Sequence, residues 1–125
     1  MNRRHLITLV ALILAQSVFP SNAQDIAKGP RAGTYRIMSY GATTSPPIFL
    51  GHFTMASGAY KAYLPGGKLS GEGRYAYNAA DHKVTWQSGP YSGVWGGDFT
   101  IEREGKTHKL RLKRTTIATN STDSQ

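Results

Sequence analysis

The sequence predicts an all-β domain, a single antiparallel meander of about seven strands that closes into a small up-and-down, lipocalin-like barrel. A pattern of glycine, any residue, aromatic residue, any residue and apolar residue begins at Gly33, Gly51, Gly58, Gly73 and Gly97. This period-two alternation places every second side chain on one face of a β-strand. Short segments rich in glycine and proline separate the repeats, and no long helical pattern lies between them.

Each predicted strand has one apolar and one polar face. The strands are expected at residues 33–40, 48–56, 59–64, 72–78, 83–87, 95–103 and 107–114. Such a sheet buries its apolar face either by closing into a barrel or by folding as a two-layer sandwich, which is the alternative. The inward face is expected to carry Tyr35, Phe49, Phe53, Tyr60, Tyr75, Tyr77, Trp86 and Phe99. The interior is either filled by these side chains, or it contains a small polar and aromatic cavity lined by the tyrosines. The second alternative arises because buried tyrosine hydroxyls need hydrogen-bonding partners.

The start of the chain is typical of a cleaved secretory signal peptide, predicted over residues 1–23. Arg3 and Arg4 form a basic start, residues 6–15 are apolar, and Ala23 supplies a small residue before the cut. The apolar run is shorter than the roughly 20 residues that cross a bilayer. The sequence therefore predicts a periplasmic or extracellular protein with no transmembrane segment after cleavage.

The mature chain has the length of one domain. Residues 24–32 are predicted to be a loose lead-in, residues 33–116 the β domain, and residues 117–125 a polar, flexible tail. Because the chain contains no cysteine, its stability must come from burial without disulfides. The full chain has a net charge of +8, and the mature part still has more Lys and Arg than Asp and Glu, which favours anionic partners such as anionic polysaccharide or lipid headgroups. An envelope protein is a further candidate partner, and nucleic acid is not expected for an exported chain.

One segment carries a recognisable signature. Gly73-Arg-Tyr75-Ala-Tyr77 is followed by Val84-Thr-Trp86-Gln-Ser88-Gly89-Pro90. This arrangement resembles the G-x-Y-x-Y … V-x-W-x-S-G-P signature of small secreted bacterial β proteins of unassigned activity. The resemblance covers about a fifth of the predicted mature chain. It implies an extracellular β domain and assigns no catalytic residues.

The sequence contains no pattern typical of catalysis. His52, His82 and His108 lie far apart in the chain and not at the spacing of metal ligands. Ser88 and Ser92 both lack the G-x-S-x-G pattern of a nucleophilic serine. We therefore expect a protein that is not an enzyme, with no metal and no cofactor.

Two features indicate binding. The glycine-rich loop 87–97 carries Tyr91 and Trp95, whose rings either stack on a sugar or lipid ligand or fold over the end of the barrel as a plug. Lys109, Arg111 and Lys113 share one face of the last predicted strand, at a spacing that suits successive anionic groups of a polymer. The alternative is that they form the solvated outer face of this strand and bind no partner.

These features predict an exported, non-enzymatic binding or interaction module at the cell envelope, which favours anionic, carbohydrate or lipid ligands. One alternative is a lipocalin-like carrier that holds a small apolar ligand inside the barrel. Another is a structural envelope protein with no small-molecule ligand.

Overall fold

Eight antiparallel strands form a closed barrel in which each strand pairs with its neighbours along the chain. The computed structural model describes residues 21–41 and 44–122. The strands are β1 (Gly33–Ser39), β2 (Ile48–Ala56), β3 (Ala59–Tyr63), β4 (Leu69–Asn78), β5 (Lys83–Trp86), β6 (Asp98–Glu102), β7 (Thr107–Arg111) and β8 (Thr116–Ser121). β8 pairs with β1, from Arg36↔Thr119 to Ser39↔Thr116, and so closes the barrel. The predicted up-and-down barrel is confirmed, with eight strands instead of about seven.

The eighth strand lies where the sequence predicted a polar, flexible tail over residues 117–125. β8 pairs with β7 on one side and with β1 on the other, and the side chain of Ala118 is completely buried. The inward positions of β8 are Thr116 and Ala118, which lack the bulk that marks the other strands. The predicted flexible tail is therefore wrong for residues 117–121. Small inward residues are sufficient on β8, because larger rings from other strands fill the interior. Residues 123–125 lie outside the described part.

The predicted loose lead-in, 24–32, is also wrong in its first half. An α-helix, α1 (Ser21–Lys28), precedes β1 and lies against the barrel. The Tyr77 hydroxyl donates a hydrogen bond to the Ile26 carbonyl oxygen at 2.6 Å. Of the predicted signal peptide, residues 1–20 lie outside the described residues, and 21–23 begin α1.

Arg31, after α1, connects the lead-in to the last strands. Its guanidinium donates to the side-chain and backbone oxygens of Asn120, at 2.6 and 3.0 Å, and to the carbonyl oxygens of Gly105 and Lys106. Its own carbonyl oxygen accepts a hydrogen bond from the Tyr35 hydroxyl at 2.7 Å. These partners are 74 to 89 residues away from Arg31 in the chain, except Tyr35, so no local pattern could have predicted them.

The barrel interior is filled with aromatic rings. Phe53 is central: its ring stacks on Tyr35 at a centroid distance of 5.3 Å and meets the rings of Trp86 and Tyr91 edge to face. Such pairs contribute about 0.5–1.5 kcal/mol each beyond the area that they bury. The inward positions predicted for Tyr35, Phe53, Tyr60, Trp86 and Phe99 are confirmed, and Tyr75 and Tyr77 are partly buried against the same core.

Phe49 is the exception among the predicted inward residues. β1 and β2 change register between Ile37 and Met38, so that Leu50 is an extra residue of β2. A bulge of this kind reverses which side chains face inward. As a result Phe49 is on the outer face, where the Arg36 guanidinium lies 4.7 Å from the centre of its ring. Gly51, with φ of 112°, adopts at this bulge a backbone conformation that favours glycine.

Candidate functional site

The two ends of the barrel are built differently. Because neighbouring strands are antiparallel, alternate connections meet at the same end. The connections 57–58, 79–82 and 103–106 are tight turns, and they define what we call the turn end. The longer connections 40–47, 64–68, 87–97 and 112–115 meet at the other end, which we call the loop end.

The connection 87–97, which we call the aromatic loop, does not project into solvent but folds back over the inner face of β4. The backbone N–H of Gln87 donates to the Arg74 carbonyl oxygen at 2.8 Å, and the Ser88 hydroxyl accepts from the Arg74 N–H at 3.0 Å. Tyr60, inside the barrel, donates its hydroxyl proton to the Ser88 carbonyl oxygen at 2.7 Å and accepts from the Tyr91 N–H at 3.0 Å. The loop is therefore held to the barrel at several points.

Two glycines of β4 make this approach possible. A Cβ atom at Gly73 would lie 2.1 Å from the Ser88 carbonyl oxygen, and one at Gly71 would lie 2.7 Å from the Pro90 ring. Both glycines occupy inward positions of β4, where neither has a side chain that would obstruct the loop. In the sequence Gly73 stands out only as part of a strand pattern, and nothing in that pattern indicates that it makes room for the aromatic loop.

Gly73→Ala should therefore loosen the aromatic loop. The new methyl group meets backbone, which cannot rotate away, so we expect a loss of about 1–3 kcal/mol in the free energy of unfolding. Gly66→Ala is the matched control, since no atom lies within 4 Å of a Cβ there. Urea denaturation of both variants measures the difference, and equal stabilities would contradict this account of the loop.

Tyr91 lies in the core and not on an open surface. Only 7% of the residue is exposed, and its ring stacks on Tyr60 at 5.0 Å and meets Trp86 edge to face at 5.2 Å. Burial raises the pKa of the Tyr91 hydroxyl above its usual value, with a smaller contribution from Tyr60. The expectation that Tyr91 provides a free stacking surface is wrong, because its ring is occupied by the core, and the loop closes the barrel as a plug.

Trp95 covers Tyr91 from the outside. The two ring centres are 4.6 Å apart, with a tilt of 40°, and Trp95 is only partly buried. Beside this pair is an open cleft of about 200 Å³, which we call the loop-end cleft. Its walls are formed by Leu50, Ala62, Tyr63, Leu64, Ser70, Pro90, Tyr91, Val94 and Trp95. Both loop residues predicted to bind a ligand thus contribute to one cleft, together with the ends of β2, β3 and β4.

The predicted basic strand is less exposed to a partner than its sequence indicated. Lys109 Nζ lies 2.8 Å from Glu102 Oε2, and Arg111 lies opposite Asp98 in the pairing of β6 with β7. Acidic residues of β6 thus alternate with the basic residues of β7 on the outer face. Lys113 is not on the strand at all, because β7 ends at Arg111. The three residues therefore do not form the continuous basic stripe that was predicted.

Lys113 instead belongs to the loop end. The Gly96 N–H donates to the Leu112 carbonyl oxygen at 2.8 Å, which holds the 112–115 connection beside the aromatic loop. The four connections of the loop end contain Lys68, Lys113 and Arg114, and their sequence contains no Asp or Glu. All three basic side chains are exposed. This grouping was missed because the three residues come from two connections that are 45 residues apart in the chain, from Lys68 to Lys113.

Two of the described histidines, His52 and His108, lie in separate surroundings. His108 is buried, and its Nδ1 accepts a hydrogen bond from the Arg31 N–H at 3.2 Å. Burial, and then the charge of Arg31, lowers the pKa of His108 below its usual value, which favours this neutral acceptor form. His52 stacks on Tyr63 at 4.6 Å on the outer face. Within 21–41 and 44–122, no group of three or more His, Asp or Glu side chains is placed to hold a metal ion.

No helix among the described residues has the length and apolar character needed to cross a membrane. Comparison with known proteins adds no further assignment: no family model, no curated protein and no solved structure matches the chain.

Proposed function

We propose that the chain is an exported, non-enzymatic binding module of the cell envelope, and that its loop-end cleft binds the aliphatic part of an anionic amphiphile. The observation that carries this proposal is the composition of the cleft. Leu50, Leu64, Val94 and Pro90 provide aliphatic walls around the half-buried ring of Trp95. Basic side chains stand at the same end of the barrel, where they favour an anionic headgroup.

The size of the cleft limits what it can hold. Sites for complete small molecules usually measure roughly 300–1,000 Å³, whereas this cleft measures about 200 Å³. It therefore accommodates a part of a molecule, such as an alkyl chain segment, with the remainder of the ligand outside.

An aliphatic chain fits the walls better than a sugar does. Sugar hydroxyls that leave water need hydrogen-bonding partners, and an unpaired one costs roughly 1–3 kcal/mol. Apart from the two loop aromatics, only Ser70 and Tyr63 bring polar side-chain atoms to the cleft. The ring of Tyr91, which a sugar would need as a platform, is covered by Tyr60 and Trp95.

The other expectations have weaker support. A lipocalin-like carrier needs space inside the barrel, and the interior positions are occupied by interlocking rings around Phe53. An extended anionic polysaccharide would have to compete with Glu102 for Lys109 on the outer face of β7. A structural role without a ligand is the outcome if the following test fails.

Decanoate, an alkyl chain with one carboxylate, is a suitable probe below the concentration at which it forms micelles. A hundredfold excess over its dissociation constant stabilises the folded state by about 2.7 kcal/mol. For a domain of this size we expect the melting temperature to rise by roughly 10 °C. The fluorescence of Trp95 should change in parallel, whereas Trp86 is enclosed in the core.

A pair of serine variants locates the site. Ser70→Phe places a ring in the cleft from an exposed position and should abolish the decanoate shift. Ser92→Phe adds the same ring to an exposed loop-end position that does not line the cleft, and should leave the shift unchanged. The proposal fails if wild-type protein shows no shift, or if Ser70→Phe responds like wild type.

A further inference from the structure

The large apolar side chains that are exposed among the described residues lie at one end of the barrel. Six large hydrophobic residues are exposed in the described part of the chain, namely Tyr40, Ile48, Leu50, Leu64, Leu69 and Val94. Each lies in a loop-end connection or at a strand end that adjoins one. Ile48 is 64% exposed and Val94 is 59% exposed, and neither belongs to the buried core. Apolar residues that cluster in this way indicate a contact surface.

The charges are distributed unequally between the same two ends. The loop end carries Lys68, Lys113 and Arg114 without an acidic residue in its connections. The turn end mixes both signs, since Asp81 lies in one connection and Glu104 lies between Arg103 and Lys106 in another.

Hydrogen bonds place the basic connection among the apolar residues. The 112–115 connection joins the aromatic loop through Gly96, and on its other side the Tyr40 N–H donates to the Thr115 carbonyl oxygen at 2.8 Å. The backbone of Lys113 and Arg114 therefore lies between the aromatic loop and Tyr40. We call the exposed apolar and basic residues of the loop end the rim. Lys68 closes the turn after β3, where its carbonyl oxygen accepts from the Leu64 N–H at 2.8 Å. Basic residues thus lie at two places of the loop end, in the connections 64–68 and 112–115, and both connections adjoin exposed apolar residues.

We propose that the loop end docks on the surface of an anionic phospholipid bilayer, with the aliphatic side chains inserted at the level of the headgroups. Exposed aliphatic residues next to Lys and Arg are the combination that binds such surfaces. A second copy of this chain fits less well, because two loop ends that face each other would bring six basic side chains together. This inference goes beyond the proposed function, since docking requires the rim and not an occupied cleft.

Co-sedimentation with vesicles of phosphatidylglycerol and phosphatidylcholine tests the docking, with vesicles of phosphatidylcholine alone for comparison. We expect binding to the anionic vesicles that weakens as salt is added. The double variant Lys113→Gln/Arg114→Gln should bind about 25-fold more weakly, since each basic residue near such a surface contributes about fivefold. Lys28→Gln/Lys61→Gln removes the same charge from exposed positions outside the loop end and should bind like wild type.

A second double variant separates docking from ligand binding. Ile48→Ser/Leu69→Ser changes two rim residues that do not line the cleft. Binding to anionic vesicles should fall by about tenfold for each side chain that no longer inserts, while the decanoate shift is retained. Ser70→Phe should show the reverse, with docking retained and the decanoate shift lost. Failure of either proposal can thus be recognised separately.

Three results would overturn the docking proposal. The first is the absence of wild-type binding to anionic vesicles. The second is equal binding to phosphatidylcholine alone, which would remove the role of the basic residues. The third is an equal loss in the two charge variants, which would mean that net charge and not the rim attracts the protein. Circular dichroism of each variant confirms that the barrel is intact before binding is compared.

Discussion

Ala118→Glu should unfold the barrel under conditions in which Thr119→Glu remains folded. Ala118 is completely buried on β8, between the interiors of β1 and β7, so a carboxylate there has neither water nor a partner. An unpaired buried charge costs about 3–5 kcal/mol, a large share of the 5–15 kcal/mol typical of a folded domain. Thr119 lies directly opposite Arg36 and Lys109, so a glutamate at that position gains cross-strand pairs of opposite charge.

Circular dichroism during thermal and urea denaturation measures both variants. Two adjacent substitutions of the same charge that differ this strongly require a strand with alternating faces. If residues 117–121 were a flexible tail, as the sequence alone predicted, both variants would match the wild type in stability, and the closure of the barrel by β8 would be contradicted.

Tyr91→Ala should destabilise the protein by about 3–5 kcal/mol, the usual effect of removing a buried ring. The ring contacts Phe53, Tyr60 and Trp86 in the core and supports Trp95 from below. Its loss leaves a cavity that the remaining rings cannot close, because they are held by one another. The aromatic loop then loses the side chain that holds it inside the barrel.

Tyr40→Ala is the matched control, since Tyr40 is 44% exposed at the same end of the barrel. A surface truncation of this kind changes stability by no more than about 0.5 kcal/mol. Urea denaturation compares the two variants. A Tyr91→Ala protein with wild-type stability that failed only to bind decanoate would show that Tyr91 is a ligand residue and not part of the core.

Much of the barrel could be predicted because its strands repeat a local pattern. Tyr35, Phe53, Tyr60 and Phe99 follow a glycine at the same spacing, and all four are buried. The predicted inward position was wrong for Phe49, where the strand does not keep a regular alternation. Phe49 faces outward because one extra residue, Leu50, reverses the alternation along β2.

The candidate site could be predicted only in part. The aromatic loop stood out through Tyr91 and Trp95, and both contribute to the loop-end cleft. The aliphatic walls did not stand out, because Leu50 lies in β2 and Leu64 in the connection after β3, and both resemble ordinary strand residues in the sequence. Nor did the sequence indicate that Glu102 would face Lys109, since the pairing of β6 with β7 decides that contact.

The order of residues along the chain was enough to predict the fold class and the inward position of most rings, because alternation along a strand is a property of consecutive residues. Three features became visible only in the folded barrel: Ala118 belongs to a closing strand, Tyr91 is buried in the core, and Lys113 lies beside exposed apolar residues. The physical reason is the same in each case. Burial and charge neighbourhood depend on residues that are distant in the chain, and closure of the barrel brings them together.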